Sequence, residues 1–278
     1  MTRIWCNGVW LDALDFTTAP TDRGLMHGLG LFETILALDG RPAFAELHIA
    51  RFIASCRRLG WTPVLPDLQQ VMAELLETNE LATGRARIRL SISAGTGMVH
   101  DLSLGADYVV WLTAVPAPDP PVSATANLSP WARNERSALS GLKCSSYAEN
   151  LVALQQAAGL GFEETVFLNS SGNVCEAATS NVFVVRDGKV FTPPLDAGCL
   201  PGITRGLAIS FAGKLSIHCE EKNLRAEDLR TADELFITSS IRGVMGLSRF
   251  EERTLEVGPV TQALRQAWTD AVRRKSSL

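Results

Sequence analysis

The 278-residue chain lacks an excess of charge, a long apolar run and closely paired cysteines. Its net charge is −4, so a basic surface for nucleic acid is not expected. No run of about 18 uncharged apolar residues occurs, and the first residues contain no signal-like apolar run, which predicts a cytoplasmic protein without a membrane span. The six cysteines form no C-x-x-C pair, so reduced thiols are expected rather than disulfides or a metal site.

Helix and strand patterns fill the chain, and 46% of its residues are apolar, enough for one large domain or two modest ones. Segment 115–122 holds four of the 13 prolines, a density that favours a linker. We therefore predict an α/β protein with a smaller N-terminal α/β domain at 1–115, a linker at 116–123 and a larger C-terminal α/β domain at 124–278.

The individual elements follow from periodicity and turn residues. Helices are predicted at 46–59, 65–81, 147–160, 204–215, 225–231 and 260–273. Strands are predicted in a hairpin over 4–11 and at 30–38, 86–93, 108–115, 124–128, 164–168, 181–185, 189–191 and 234–237.

Three segments carry candidate chemistry. Lys143 lies between a Ser/Gly loop and an apolar helix, Glu176 precedes a strand, and Gly202 forms a turn that opens a helix. A lysine, a carboxylate and a helix start are what a pyridoxal phosphate (PLP) site requires, for the Schiff base, the pyridinium proton and the phosphate. Each alone is an ordinary feature: a surface lysine, a turn glutamate and a helix cap.

These segments, in this order, resemble the class IV aminotransferases, also called fold type IV PLP enzymes. The blocks Asp22-Arg23-Gly24, Gly28–Thr34 and Glu46–Arg51 add to the resemblance, which covers roughly residues 7–246. The family includes branched-chain and D-amino acid aminotransferases and 4-amino-4-deoxychorismate lyases. The resemblance implies a two-domain fold like that of D-amino acid aminotransferase, PLP as cofactor, a small-molecule amino acid or aminodeoxychorismate substrate and a homodimer.

The resemblance also implies roles for single residues. Lys143 would form the Schiff base and then act as general base and acid, for which burial and nearby positive charge should lower its pKa. Glu176 would pair with the pyridine nitrogen, and Tyr147 would bond the phenolic oxygen. The residues that would bind the phosphate are Arg51, Ile203, Thr204, Ser239 and Ser240.

Substrate residues are less determined. Thr34 occupies a position where aminodeoxychorismate lyases show Thr and branched-chain enzymes show Gly, which favours the lyase, with Thr34 as a catalytic residue. His27 stands where related aminotransferases carry an aromatic residue facing the substrate. The candidate carboxylate partners are Arg242, Arg133 and Arg136.

Two alternatives to the lyase stay open. The loop at 94–100 lacks the arginine that D-amino acid aminotransferases use there, yet a transaminase is nearly as well supported as the lyase. A scaffold that has kept only the fold is the third alternative, and the intact Lys143 and Glu176 argue against it.

Overall fold

The structure, a computed structural model, describes residues 2–276 and divides into two compact units. Within the described range, the first unit holds residues 2–119, 142–147 and 272–276, and the second holds 120–141 and 148–271. The boundary at Asp119 and Pro120 lies in the proline-rich segment. Segment 142–147, which contains Lys143, belongs to the first unit although it follows that boundary.

The first unit is built on a six-stranded antiparallel sheet, with the strand order β2-β1-β6-β5-β3-β4. Asn7 and Gly8 have positive φ angles of 44° and 91°, as a tight hairpin between β1 and β2 requires. The strands are β1 (Arg3–Cys6), β2 (Val9–Asp12), β3 (Gly30–Leu38), β4 (Arg41–Pro42), β5 (Arg85–Ser93) and β6 (Val109–Pro116). The helices are α1 (Arg23–His27), α2 (Ala45–Arg58) and α3 (Leu68–Thr78).

One face of this sheet forms the core of the first unit. Alternation along β3 and β5 places Ile35, Ile88 and Leu90 in one buried cluster with Phe52 of α2 and Leu75 of α3. The other face carries the intervening residues of both strands, and part of the candidate site is built there.

The second unit contains a nine-stranded mixed sheet, counted over the described residues, with the order β12-β11-β10-β13-β14-β7-β8-β9 and β15 beside β14. Its first five strands are β7 (Ala124–Arg133), β8 (Glu164–Asn169), β9 (Val174–Ala177), β10 (Asn181–Arg186) and β11 (Lys189–Thr192). The others are β12 (Cys219–Glu221), β13 (Glu234–Ser239), β14 (Gly243–Phe250) and β15 (Arg253–Thr254). The remaining helices are α4 (Ala148–Gly159), α5 (Ile203–Lys214), α6 (Ala226–Arg230) and α7 (Pro259–Ser276).

The predicted helices are all present, with ends shifted by a few residues. Helix α3 begins at Leu68 because the Asp67 carboxylate accepts the N–H groups of Gln69 and Gln70 and so caps it. Helix α1 and strands β9, β12, β14 and β15 were not predicted. Five residues show no helical period, β9, β12 and β15 have four residues or fewer, and β14 is interrupted by glycine. Of the helices described, none is long and apolar enough to cross a membrane.

Candidate cofactor and substrate site

Lys143 is fastened to strand β3 by backbone bonds. Its carbonyl accepts the N–H of Phe32 at 2.9 Å, and the Ser145 N–H donates to Gly30 at 2.8 Å. Lys143 is half-buried, and its amine lies 4.5 Å from the Phe32 ring centroid and 5.7 Å from that of Tyr147. Phe32 and Tyr147 themselves pack edge to face at 5.5 Å. Lys143 and Tyr147, which the sequence predicted for one site, therefore lie close together. Phe32, which was not predicted as a site residue, contacts both.

Thr34 and Arg89 share the Phe32 side of the sheet. Thr34 is two residues along β3 from Phe32, and its partner across the ladder is Arg89 of β5. The Arg89 guanidinium stacks on Phe32, with its central carbon 3.8 Å from the ring centroid. Desolvation and the neighbouring Arg87 lower the pKa of Arg89, which still leaves a cation at neutral pH. Sequence reasoning missed Arg89, although the alternation of β5 was the signal that could have found it.

Arg51 belongs to a buried ion cluster on the core side of β3. Its guanidinium donates to both oxygens of Glu33, at 2.8 and 2.6 Å, and His48 contacts the same carboxylate at 2.7 Å. The Glu33 side chain is 1% exposed. Burial alone would raise the pKa of Glu33, but its bonds with His48 and Arg51 outweigh burial and lower it. Glu33, which the sequence did not single out, therefore fixes the predicted phosphate arginine.

Glu176 ends up beside the turn that opens α5. Its carboxylate accepts the Leu200 N–H at 2.9 Å, and the Arg133 guanidinium lies 3.9 Å from its other oxygen. Asn181 donates from its side chain to the Leu200 carbonyl at 2.8 Å. Asn181 also pairs with Thr238 across β10 and β13. Asn181 thus links β13, the strand that leads into the Ser239 turn, to Leu200 just before the Gly202 turn. Leu200 in turn bonds Glu176.

The two turns of the second unit present groups suited to an anion. Gly202 is the N-cap of α5 and makes no side-chain cap bond. The first N–H groups of a helix have no partner within the helix, which makes a helix start suited to an anion. Ile203 and the buried Thr204 form the first turn of that helix. Ser239 and Ser240 lie half-buried at the end of β13, where the Ser239 hydroxyl accepts the Arg242 N–H at 3.2 Å. Four of the predicted phosphate residues therefore lie on two neighbouring turns.

The remaining candidates are placed as follows. His27 is exposed at the end of α1, and Arg136 is exposed in the loop after β7. Arg133 stacks on Phe167 at 4.3 Å. Arg242 is paired with the buried Glu164 at 2.5 Å. Within the described residues, no cluster of His, Cys, Asp and Glu could hold a metal ion.

Comparison with known proteins gives consistent matches over most of the chain. An aminodeoxychorismate lyase of Bacillus subtilis is 28% identical over 268 residues, covering 94% of this chain and 92% of the relative. A branched-chain-amino-acid aminotransferase of Escherichia coli K12 is 27% identical over 284 residues, covering 95% and 91%. The crystal structure of an aminotransferase from Brucella abortus bound to PLP superposes with a TM-score of 0.85 at 28% identity, covering 98% and 99%.

The family match agrees with the residues brought together in each unit. The model of the amino-transferase class IV family matches residues 30–250, which include both the Lys143 segment and the two turns around Glu176. The protein therefore belongs to the class IV aminotransferases, a family of PLP-dependent enzymes.

Proposed function

We propose that this enzyme is a 4-amino-4-deoxychorismate lyase, which eliminates pyruvate from its substrate and releases 4-aminobenzoate. The observation that carries the proposal is the position of Thr34. It lies two residues along β3 from Phe32, on the same side of the sheet, and Phe32 contacts Lys143. The match to the Bacillus subtilis lyase, over 94% of this chain, supports it further.

The chemistry of the proposed residues, taken one by one, suits PLP. Lys143 offers an amine for the covalent bond, Glu176 a carboxylate for the ring nitrogen, and Tyr147 a hydroxyl for the phenolic oxygen. The phosphate would bind the start of α5 and the Ser239 turn, with Arg51 supplying positive charge. When bound, the cofactor supplies the electron sink for the carbon that carries the substrate amino group.

Lys143 and Thr34 would handle the protons. The reaction must remove a proton from the carbon bearing the amino group and deliver one to the methylene carbon of the departing pyruvate. Lys143 is the general base and acid for these transfers, and the Thr34 hydroxyl holds or relays the second proton. Arg89, on the same face, would bind a substrate carboxylate, because a guanidinium pairs well with planar oxyanions.

A transaminase is the second candidate. The Escherichia coli branched-chain enzyme is nearly as similar as the lyase, at 27% identity over 95% of this chain. Lys143 would then move the proton between the substrate carbon and the cofactor, and Arg89 would bind the carboxylate of an amino or oxo acid.

One incubation separates the two. The purified enzyme is supplied with chorismate, glutamine and an aminodeoxychorismate synthase, and 4-aminobenzoate is measured. We expect rapid release by wild type, a large loss in Thr34→Gly, and retention in Thr34→Ser, which keeps the hydroxyl. Wild-type protein that makes no 4-aminobenzoate but transaminates leucine or a D-amino acid briskly would establish the transaminase instead.

We also propose a homodimer. The first unit exposes apolar side chains at Leu25, Met26, Met98 and Val99, each more than half exposed. Such residues on a water-soluble unit are typical of a contact surface. Light scattering should give about twice the chain mass of 30.1 kDa, and a monomer at micromolar concentration would contradict the proposal.

A further inference from the structure

Glu164 is a buried carboxylate that none of the proposed chemical steps uses. It begins β8 and is fully buried. One oxygen accepts from Arg242 at 2.5 Å, from the Thr179 hydroxyl at 2.5 Å and from the Ser180 hydroxyl at 3.2 Å. The other accepts the backbone N–H groups of Thr165 at 3.2 Å and Thr179 at 3.3 Å. A buried charge with this many donors is tied to a single geometry.

Arg242 closes the network from the other side. Besides Glu164, its guanidinium donates to the hydroxyls of Thr179 at 2.5 Å and Ser180 at 2.9 Å. Arg242 lies in the turn between β13 and β14, two residues after Ser240, and its backbone N–H donates to the Ser239 hydroxyl. The side chain therefore ties the Ser239 turn to the turn between β9 and β10.

The Ser239 turn contains residues proposed for the phosphate, and the turn between β9 and β10 follows Glu176, which is proposed for the ring nitrogen. Glu176 precedes the 178–180 turn, and Asn181 follows it and begins β10. Breaking the Glu164–Arg242 pair would leave a buried carboxylate without its cation and free the Ser239 turn to move relative to Glu176.

We propose that Glu164 and Arg242 form a clasp that holds the Ser239 turn in place for the PLP phosphate. Arg242 is accordingly a positioning residue and not a ligand of the substrate carboxylate. The inference rests on the proposed cofactor roles of Ser239, Ser240 and Glu176, and it goes beyond them by assigning the pair that sets their relative position.

The test measures dissociation constants of the full chain, stripped of cofactor, for PLP and for pyridoxal, which lacks the phosphate. Glu164→Gln and Arg242→Met should each raise the PLP constant roughly tenfold, the effect of about one charge-assisted hydrogen bond, and change the pyridoxal constant less than about twofold. The double variant should bind PLP no more weakly than the weaker-binding of the two single variants, because both substitutions remove the same Glu164–Arg242 contact. Arg230→Met, which breaks the exposed pair with Glu251, is the control and should change neither constant.

Two outcomes would overturn the clasp. One is an unchanged PLP constant in folded Arg242→Met. The other is a raised KM for the acid substrate in Arg242→Met with PLP affinity intact, which would make Arg242 a substrate ligand. Should Glu164→Gln fail to fold, Arg242→Met and Arg242→Lys decide, with lysine expected to restore part of the affinity. Failure of the proposed function is separate, since it would show in wild type as no PLP binding or no 4-aminobenzoate.

Discussion

Gly202→Ala should damage the turn that opens α5, and the structure gives the size of the effect. Gly202 has φ −64° and ψ 135°, which alanine adopts without strain, so the cost is steric. The added Cβ would lie 2.0 Å from the side-chain oxygen of Asn181. Asn181 is only 5% exposed and cannot swing into solvent, so it must give up its bond to Leu200. Overpacking costs about 1–3 kcal/mol and the lost bond about 1 kcal/mol, a total of about 2–4 kcal/mol.

Chemical unfolding and PLP titration measure the two consequences. Gly202→Ala should lower the free energy of unfolding by the stated amount and weaken PLP binding, because Ile203 and Thr204 are displaced. Gly206→Ala is the control, since its Cβ would meet nothing within 4 Å and alanine favours a helix interior by about 1 kcal/mol. Asn181→Ala should relieve the clash, so that the double variant loses less than the sum of the singles. A Gly202→Ala protein as stable as Gly206→Ala would refute the reasoning.

Three further predictions concern single side chains. Lys143→Ala should abolish the visible absorbance of lysine-bound cofactor and slow turnover by roughly a hundred- to ten-thousandfold; activity within about tenfold of wild type would contradict its role. Glu176→Ala should reduce turnover more than cofactor content, measured by PLP release in alkali, and equal losses would make Glu176 a folding residue. Glu33→Gln should cost about 3–5 kcal/mol of stability at pH 7, since it breaks a buried ion pair. Because the folded-state pKa of Glu33 is lowered, its contribution is complete above the unfolded pKa of about 4.3 and is lost as pH falls through the folded value. The difference in stability between wild type and variant should therefore begin to shrink below the unfolded pKa and vanish only below the folded one.

The local sequence determined most helices and strands, and it pointed to candidate site residues that each lie within one short segment. The hairpin at Asn7-Gly8, the alternation of β5 and the helix periods were readable because turn chemistry and side-chain period act within a few residues. Lys143, Glu176 and the Gly202 turn each lie in a short segment that resembles the family, and that resemblance is the basis for proposing them as site residues.

Only the tertiary structure decided which distant residues meet. Arg89 reaches Phe32 because β3 and β5 pair in one register, and a shift of one residue would have turned it to the core face. Glu33 binds Arg51 across the gap between a strand and a helix, and Glu164 meets Arg242 across 78 positions of sequence. Such partners leave no trace in a local pattern, since ion pairing depends on distances that only the folded chain sets.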